Sequence, residues 1–454
     1  MPALGLLPGT VRRTRGGLPS LPLVNMFSEA AITEPTQFAL QSRKGLVDSG
    51  ITLGAGPVRA LFAADGVLSG VTVGLSGSDL YVDGVSKGTV NGTGFASIAG
   101  NQMGVAVTRG QDANFYDGVS FRNIAFPDNA YMTKIIEQGG RFIGLRSGSH
   151  RYYWTQPLAN MLDGSGDMVF DGLDYASAES EPDQLVDAVV FQDHLVLGGL
   201  STIELHGETG NDNAPWSPTV GQTIAKGVKQ AGCLTLWSNA FAWVSPENVV
   251  YRYDGGGGTP VSNPGIEELI AASSICELDS FYTEGRELLR ARLDNVDLCL
   301  SANTGEWEEW DTAGQTGFVG GPVIFGPVFG SKIDGTLYDL TENNELALPM
   351  VKTFRAGIPI DGGQVVIGNV VLRTNPGQID GGTVEMRFSR DSGNTFSDWV
   401  EVSMGDVGDY RQRIEWRSLG LFDQPGALFE FRHSDDCEFR ASGALFNENM
   451  KGRA

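Results

Sequence analysis

Val250-Tyr251-Arg252-Tyr253-Asp254-Gly255 is a short aromatic and β-branched run closed by Asp-Gly, and the same phrase returns along the chain. Leu80-Tyr81-Val82-Asp83-Gly84 and Asn114-Phe115-Tyr116-Asp117-Gly118 end identically, and Tyr152-Tyr153-Trp154 and Thr202-Ile203-Glu204-Leu205 repeat the run itself. Leu298-Cys299-Leu300 and Leu337-Tyr338-Asp339-Leu340 are weaker echoes. Residues of this kind, bounded by turn signals that favour φ > 0, read as strands in hairpins. Most are preceded by a second apolar run, such as Val71-Thr72-Val73, Met103 to Val107, Phe142 to Leu145, Leu195-Val196-Leu197, Phe241 to Val244 or Leu288 to Ala291. The paired unit recurs about every 35–50 residues, the blade period of a β-propeller. The echoes predict an all-β chain with a propeller of six or seven blades over residues 51–349.

The 62 glycines among 454 residues agree with that reading, because each blade needs several tight turns. A 41% apolar content is enough for a substantial core. The formal net charge is −23, which excludes a protein that holds DNA by its phosphates, since such binding runs on Lys and Arg. It equally disfavours an anionic membrane surface, and no run of about 18 apolar residues occurs to span one. Four widely separated cysteines (Cys233, Cys276, Cys299, Cys437) read as reduced core thiols, without zinc-ligand spacing. The arginines near the start follow the apolar residues, the reverse of a signal peptide, so assembly in a cytoplasm is expected.

The pattern changes at both ends. Residues 1–50 match no blade, and Leu21-Pro22-Leu23-Val24-Asn25-Met26-Phe27 reads as part of an extended N-terminal arm that packs elsewhere. From residue 350 to 454, the runs Val365 to Leu372, Val384 to Phe388 and Leu428 to Arg432 predict a small β-sandwich-like domain. One short helix is expected at Ile266 to Ala272, opened by Asn263-Pro264.

Motifs that could carry chemistry resolve mostly into turns. Ser389, Asp391, Gly393, Thr395 and Phe396 form an Asp-box, the hairpin turn of sialidase propellers. Its Ser and Asp side chains are expected to hold turn backbone groups, with the glycine left-handed and the aromatic packed beneath. Acidic groups such as Glu179, Glu181 and Asp183, or Glu306, Glu308 and Glu309, could supply a glycosidase pair, although a chain with 55 acids offers such pairs by composition alone. His150, His194, His206 and His433 lack metal-ligand spacing, and Asp163-Gly164-Ser165-Gly166-Asp167 lacks the later glutamate of a calcium loop. Trp216, Trp237, Trp243, Trp307 and Trp310 could line a sugar groove but read better as packing between blades. No catalytic residue, cofactor site or metal site is expected. Arg12, Arg13 and Arg15 form a small basic patch suited to a partner's acidic surface.

A longer pattern is carried by Met161-Leu162-Asp163, Asp174-Tyr175-Ala176-Ser177-Ala178-Glu179 and Glu181-Pro182-Asp183, followed by His194 to Gly198 and Ser201 to Glu204. Ala225 to Gly232 and Val249 to Tyr253 come next; Pro22 to Phe27, Ser42 to Leu46 and Gly56 to Leu61 precede it, and Gly408 to Gly420 closes it. In this order the segments resemble the packaged-DNA stabilisation proteins of short-tailed bacteriophages, also called tail nozzle or hub proteins. The resemblance implies a structural virion protein without catalysis. Copies would form a ring, of six subunits, below the portal and its adaptor. A needle or plug would fit below, tailspikes or fibres could dock at the side, and DNA would pass through the channel untethered. A lumen with few inward Lys or Arg is expected, since basic walls would retain DNA. The alternative is a glycan-binding protein or sialidase-like glycosidase, to which the Asp-box, tryptophans and acid pairs would belong.

Overall fold

Seven four-stranded antiparallel sheets follow one another along the chain, spanning residues 58–89, 96–123, 132–177, 185–224, 234–260, 276–310 and 319–342. We call them blades 1 to 7. The computed structural model describes residues 3–12, 20–31, 34, 37–178, 183–321 and 328–448. The first strands of the blades, from Val58–Phe62 through Ala96–Asn101 to Val319–Gly321, stand side by side, and the last lies against the first, so the ring is closed. The fold is a seven-bladed propeller.

The runs that announced the fold are the second and third strands of each blade. Gly104–Arg109, the second strand of blade 2, is buried along its whole length, and Asp112–Tyr116 is buried at four of its five positions. Flanked by neighbouring blades on both faces, these strands carry near-continuous apolar sequence. The Asp-Gly turns join third strands to fourth. In blade 1, Asp83 (φ 50°) and Gly84 (φ 70°) both take the left-handed conformation of a tight hairpin turn.

Blade 7 has three strands of its own and takes its fourth from the N-terminal segment: Gly45–Thr52 pairs antiparallel with Thr336–Glu342, with Leu46 opposite Leu340. The propeller therefore begins in space at residue 45, ahead of the boundary at 51 read from the sequence. The other described strands of the N-terminal segment lie outside the propeller. Ala3–Leu6, Met26–Ala30 and Phe38–Ser42 join seven strands from residues 352–446 in a ten-strand β unit. Ala3–Leu6 straddles its two halves, with Leu4 opposite Ala444 and Leu6 opposite Ala356. The core of this sandwich contains Leu4, Met26, Trp416 and Phe439, and the rings of Phe354 and Phe431 stack 5.0 Å apart.

Residues 23–25 form the seam between propeller and sandwich. Val24 bridges Glu309 of blade 6 in parallel and Thr353 of the sandwich antiparallel. Its N–H donates to the Thr353 carbonyl at 2.9 Å, while the Leu23 carbonyl accepts from Glu309 N at 2.9 Å. Local periodicity could not show these partners, because they lie hundreds of residues away along the chain.

The expected helix runs from Pro264–Ala272 and is capped by Asn263, whose side chain accepts from Gly265 N (3.1 Å) and Ile266 N (3.2 Å). Gly265 is required by a close approach, since a Cβ there would stand 1.9 Å from the Arg12 carbonyl oxygen. Among the described residues no helix is long and apolar enough to cross a membrane.

Candidate functional site

A propeller with chemistry usually presents it on the axis, where loops and first strands of all blades converge. Here the axis holds a cavity of about 610 Å³ lined by the first strands of all seven blades. Its wall carries Lys134, Asp279 and Arg292, and each has an intramolecular partner. Lys134 pairs with the fully buried Asp187, which also accepts from Gly232 N (2.7 Å), Leu234 N (3.1 Å) and Ala188 N (2.8 Å). One carboxylate thereby fastens blade 3 to blade 4 and blade 4 to blade 5. Burial pushes Asp187 up, and Lys134 opposes that shift.

Blade 6 repeats the device. Arg290 grips Asp279 bidentately at 2.9 and 2.5 Å and donates to the Phe318 carbonyl at 3.0 Å; Arg292 pairs with Glu277. Burial lowers Arg292 to about 10 and raises Asp297, which accepts from Gly317 N at 3.0 Å, to about 6. The Arg290–Asp279 and Arg292–Glu277 pairs lie within blade 6, while Arg290 at the Phe318 carbonyl and Asp297 at Gly317 N tie that blade to the segment entering blade 7. A glycosidase pair would need two carboxyl groups facing a sugar.

A buried triad lies between blades 3 and 4: Tyr152 Oη is 2.9 Å from His206 Nδ1, and His206 Nε2 is 3.3 Å from Glu204. All three side chains are sealed in the core, away from any substrate. Sequence reading missed this group. Its one visible signal is the i, i+2 spacing of Glu204 and His206, which places both on the same strand face.

The candidates read from sequence are scattered. Trp216, Trp237, Trp243, Trp307 and Trp310 are each at most 5% exposed, so their rings pack the core and offer no sugar platform. Glu309 receives Arg12, at 2.9 and 2.5 Å, and Glu308 receives Arg286 at 2.9 Å and Trp310 Nε1 at 2.8 Å. Arg12 is thus engaged within its own chain, because Thr10, whose N–H donates to the Trp307 carbonyl at 2.6 Å, leads it over blade 6. Arg13, Arg15, Glu179 and Glu181 lie outside the described residues. Asp183 accepts from Ser201 N and, at 3.1 Å, from Thr202 N. The Asp163 carboxylate accepts from Ser165 N and Asp167 N, and Arg122 pairs with Asp167, which makes the loop a braced turn. No group of three or more potential metal ligands occurs among the described residues.

The Asp-box sits in the sandwich, between strands Gly382–Ser389 and Val400–Gly405. Asp391 Oδ1 accepts from Thr395 N (2.8 Å) and from Ser389 Oγ (2.7 Å), and Oδ2 accepts from Thr395 Oγ1 (2.6 Å). Ser389 Oγ accepts in turn from Gly393 N at 2.8 Å, and Gly393 is left-handed at φ 90°. Phe396 packs under the guanidinium of Arg387, 4.3 Å away, and the Trp399 ring is capped by Arg387 and Arg432 at 4.5 and 4.2 Å. The bonds from Thr395 and Ser389 hold Asp391 down at about 2. Its support to folding is therefore present above the ordinary pKa near 4 and lost as pH falls through about 2. Asp391→Ala is expected to lower the melting temperature of the protein at pH 7 and to abolish the difference from the parent below pH 2, followed by circular dichroism.

Comparison with known proteins connects this architecture to a family. Residues 4–310 match the family described as the β-propeller of bacteriophage P22 Gp10, and residues 356–447 match its β-sandwich. The chain belongs to the Gp10 family. The family match accounts for both domains in their order along the chain. Tail hub protein gp10 of Salmonella phage P22 is 26% identical over 254 residues, covering 51% of this chain and 52% of the relative. The chain thus aligns with about half the length of that curated relative. Among solved structures, PorZ of Porphyromonas gingivalis, a surface component of the type-IX secretion system, covers 71% of this chain and 44% of its own at 10% identity, with a TM-score of 0.38. An exo-β-1,3-galactanase of Phanerochaete chrysosporium covers 68% and 94% at 11% identity, with a TM-score of 0.28. These two likenesses carry no functional argument.

Proposed function

We propose that this Gp10-family protein is a structural subunit of a short-tailed phage tail, the hub or nozzle ring through which packaged DNA is retained and later leaves. The observation that carries the reading is the match of propeller and sandwich, in that order, to the two domains of a protein named for the tail hub. The way charge is used supports it: Asp187 ties blades 3, 4 and 5 together, and Arg290 and Asp297 tie blade 6 to the segment entering blade 7. A subunit that must hold its shape against a pressurised genome gains from such bracing more than from a reactive site. In this reading copies close into a ring of six by heterologous contacts. The ring meets the portal adaptor above and a needle or plug below, with spikes or fibres at its side. Its lumen carries few Lys or Arg, in keeping with a chain of net charge −23.

Electron cryomicroscopy of purified tails from the phage encoding the chain tests this. The expected map shows a ring of propeller–sandwich subunits beneath the adaptor, with DNA on its axis in filled particles. Tails without that ring, or a lumen belted with lysines, would overturn the hub or the untethered-DNA part respectively.

A further inference from the structure

A cavity of about 420 Å³ opens between blades 4 and 5, away from the axis. The turns from first to second strand of both blades meet there with the turn from third to fourth strand of blade 5. One wall is aromatic. Phe241 is fully buried and stacks on Tyr253, with centroids 4.5 Å and planes 12° apart, and Phe191 stands T-shaped to both. Tyr253 and Phe191 are half-buried and line the cavity. The polar wall is supplied by Gln192, His194, Gln222 and Asn239, and among the described residues none of these four side chains has a partner within the chain. The two charged residues of the lining are committed elsewhere. Arg252 donates to the Ser238 carbonyl at 2.9 Å, and Asp254 accepts from Gly257 N at 2.8 Å and Thr259 Oγ1 at 2.7 Å.

Gln222 reaches this cavity through a break in its sheet. In blade 4 Glu204 lies opposite Thr223 and His206 opposite Pro218, so Leu205 alone faces residues 219–222. The excursion leaves Val220 98% exposed and Gly221 left-handed at φ 78°, and the strand returns with Gln222 half-buried on the cavity wall. Leu205, buried opposite the bulge, lines the same cavity. A bulge gives up ladder hydrogen bonds and re-aims a side chain, and here the side chain it delivers bonds to nothing in the fold.

We propose that the cleft between blades 4 and 5 binds a neutral sugar, a pyranose unit whose C–H face packs on Tyr253 and whose hydroxyls bond the unpartnered side chains. The free groups select this class. A hydroxyl both donates and accepts, and so do the amides of Gln192, Gln222 and Asn239 and the neutral imidazole of His194. A charged ligand finds no unpaired opposite charge on the lining, and its desolvation would go uncompensated. The volume lies within the range of small-molecule sites, about 300–1,000 Å³. Asp254 is the single acid among the described lining residues. Glycoside hydrolysis takes two carboxyl groups, so this site binds without cleaving. The described lining comes from one chain, so the site does not depend on a ring of copies.

Saturation-transfer NMR on the full-length protein tests this, with the methyl glycosides of glucose, galactose, mannose and N-acetylglucosamine as separate probes. Transfer to the ring protons of at least one is expected. Gln222→Ala and Asn239→Ala should each raise its Kd about fivefold, the loss of one hydrogen bond, and Tyr253→Ala should abolish transfer. Val220→Ala, in the same bulge but turned to solvent, should match the parent. Gln222 and Asn239 bond to nothing in the fold, so their variants decide even where Tyr253→Ala does not fold. A second arm separates a polymer from a free sugar. Retention on beads carrying dextran, galactan or mannan, with elution by the glycoside that bound, identifies a chain; binding of the glycoside without retention identifies a free sugar. No transfer to any neutral glycoside, a Kd unchanged in both Gln222→Ala and Asn239→Ala, or a preference for methyl glucuronide or glucosamine over the neutral probes would each overturn the proposal.

Discussion

Arg43→Ala is expected to lower the unfolding free energy by about 3–5 kcal/mol, the cost of stranding a buried charge. The Arg43 side chain is wholly buried, with its guanidinium 4.5 Å from the Trp310 ring centroid. It pairs with Glu345 at 2.8 Å and donates to Asn25 Oδ1 (2.9 Å), the Lys44 carbonyl (2.8 Å) and the Asp311 carbonyl (2.9 Å). Asn25 in turn accepts from Asp311 N at 3.0 Å and donates to the Val351 carbonyl at 2.9 Å. One planar fork therefore ties together the seam segment, the loop after blade 6 and the approach to the sandwich. Truncation leaves Glu345, already pushed up by burial, without its counter-charge. Arg43→Lys should recover little, since an ammonium cannot reproduce the fork. Arg43→Met combined with Glu345→Met should recover much of the loss, because no unpaired charge remains. Urea unfolding measures all three. An Arg43→Ala midpoint equal to the parent's, or a double variant no better than the single, would remove Arg43 from this role.

How much of this was legible follows from where each residue's partners lie. Within a blade, neighbours are hairpin-connected, so Tyr251 and Trp243, cross-strand partners in blade 5, announce themselves through local sequence. Second and third strands are the clearest because both faces are covered. Outer strands such as Val85–Thr89, with no fully buried residue, carry no apolar run to notice. The Asp-box was readable as a turn held by its own Ser and Asp side chains, since every bond in it spans four residues or fewer. Residues 1–50 were readable only as extended. Leu4 and Leu6 alternate with exposed residues as a strand should, but a four-residue strand does not say which sheet it enters. The braces on the axis were invisible for the same reason. Asp187 and Lys134 are 53 positions apart, and nothing in a list of 55 acids distinguishes the one that is fully buried.

Leu46→Ala is expected to cost about 2–5 kcal/mol, as for other buried leucines, and to act by opening the ring. Leu46 is fully buried among Phe281, Trp310, Phe329 and Tyr338, and it lies on the strand that closes blade 7. Ile51, on the same strand, is 48% exposed, so Ile51→Ala should stay within about 0.5 kcal/mol of the parent and serves as the control. Gly45→Val provides an independent lever: a Cβ at Gly45 would lie 1.9 Å from the Asn344 carbonyl oxygen, so the strand must lift to accommodate it. Both Leu46→Ala and Gly45→Val should make blade 7 the first site of cleavage in limited proteolysis, ahead of blades whose four strands are consecutive. Equal resistance of blade 7 in parent and variants would show that Gly45–Thr52 contributes no closure. The expectation rests on topology as well as burial. Blades 1 to 6 can each complete their sheets as the chain is made, whereas blade 7 must recover a strand synthesised before every other strand of the propeller. That long-range pairing has a loop-closure cost that local hairpins avoid. The same N-terminal segment enters the sandwich through Met26–Ala30 and Phe38–Ser42, so loosening the closing strand should also weaken the sandwich's hold on the propeller.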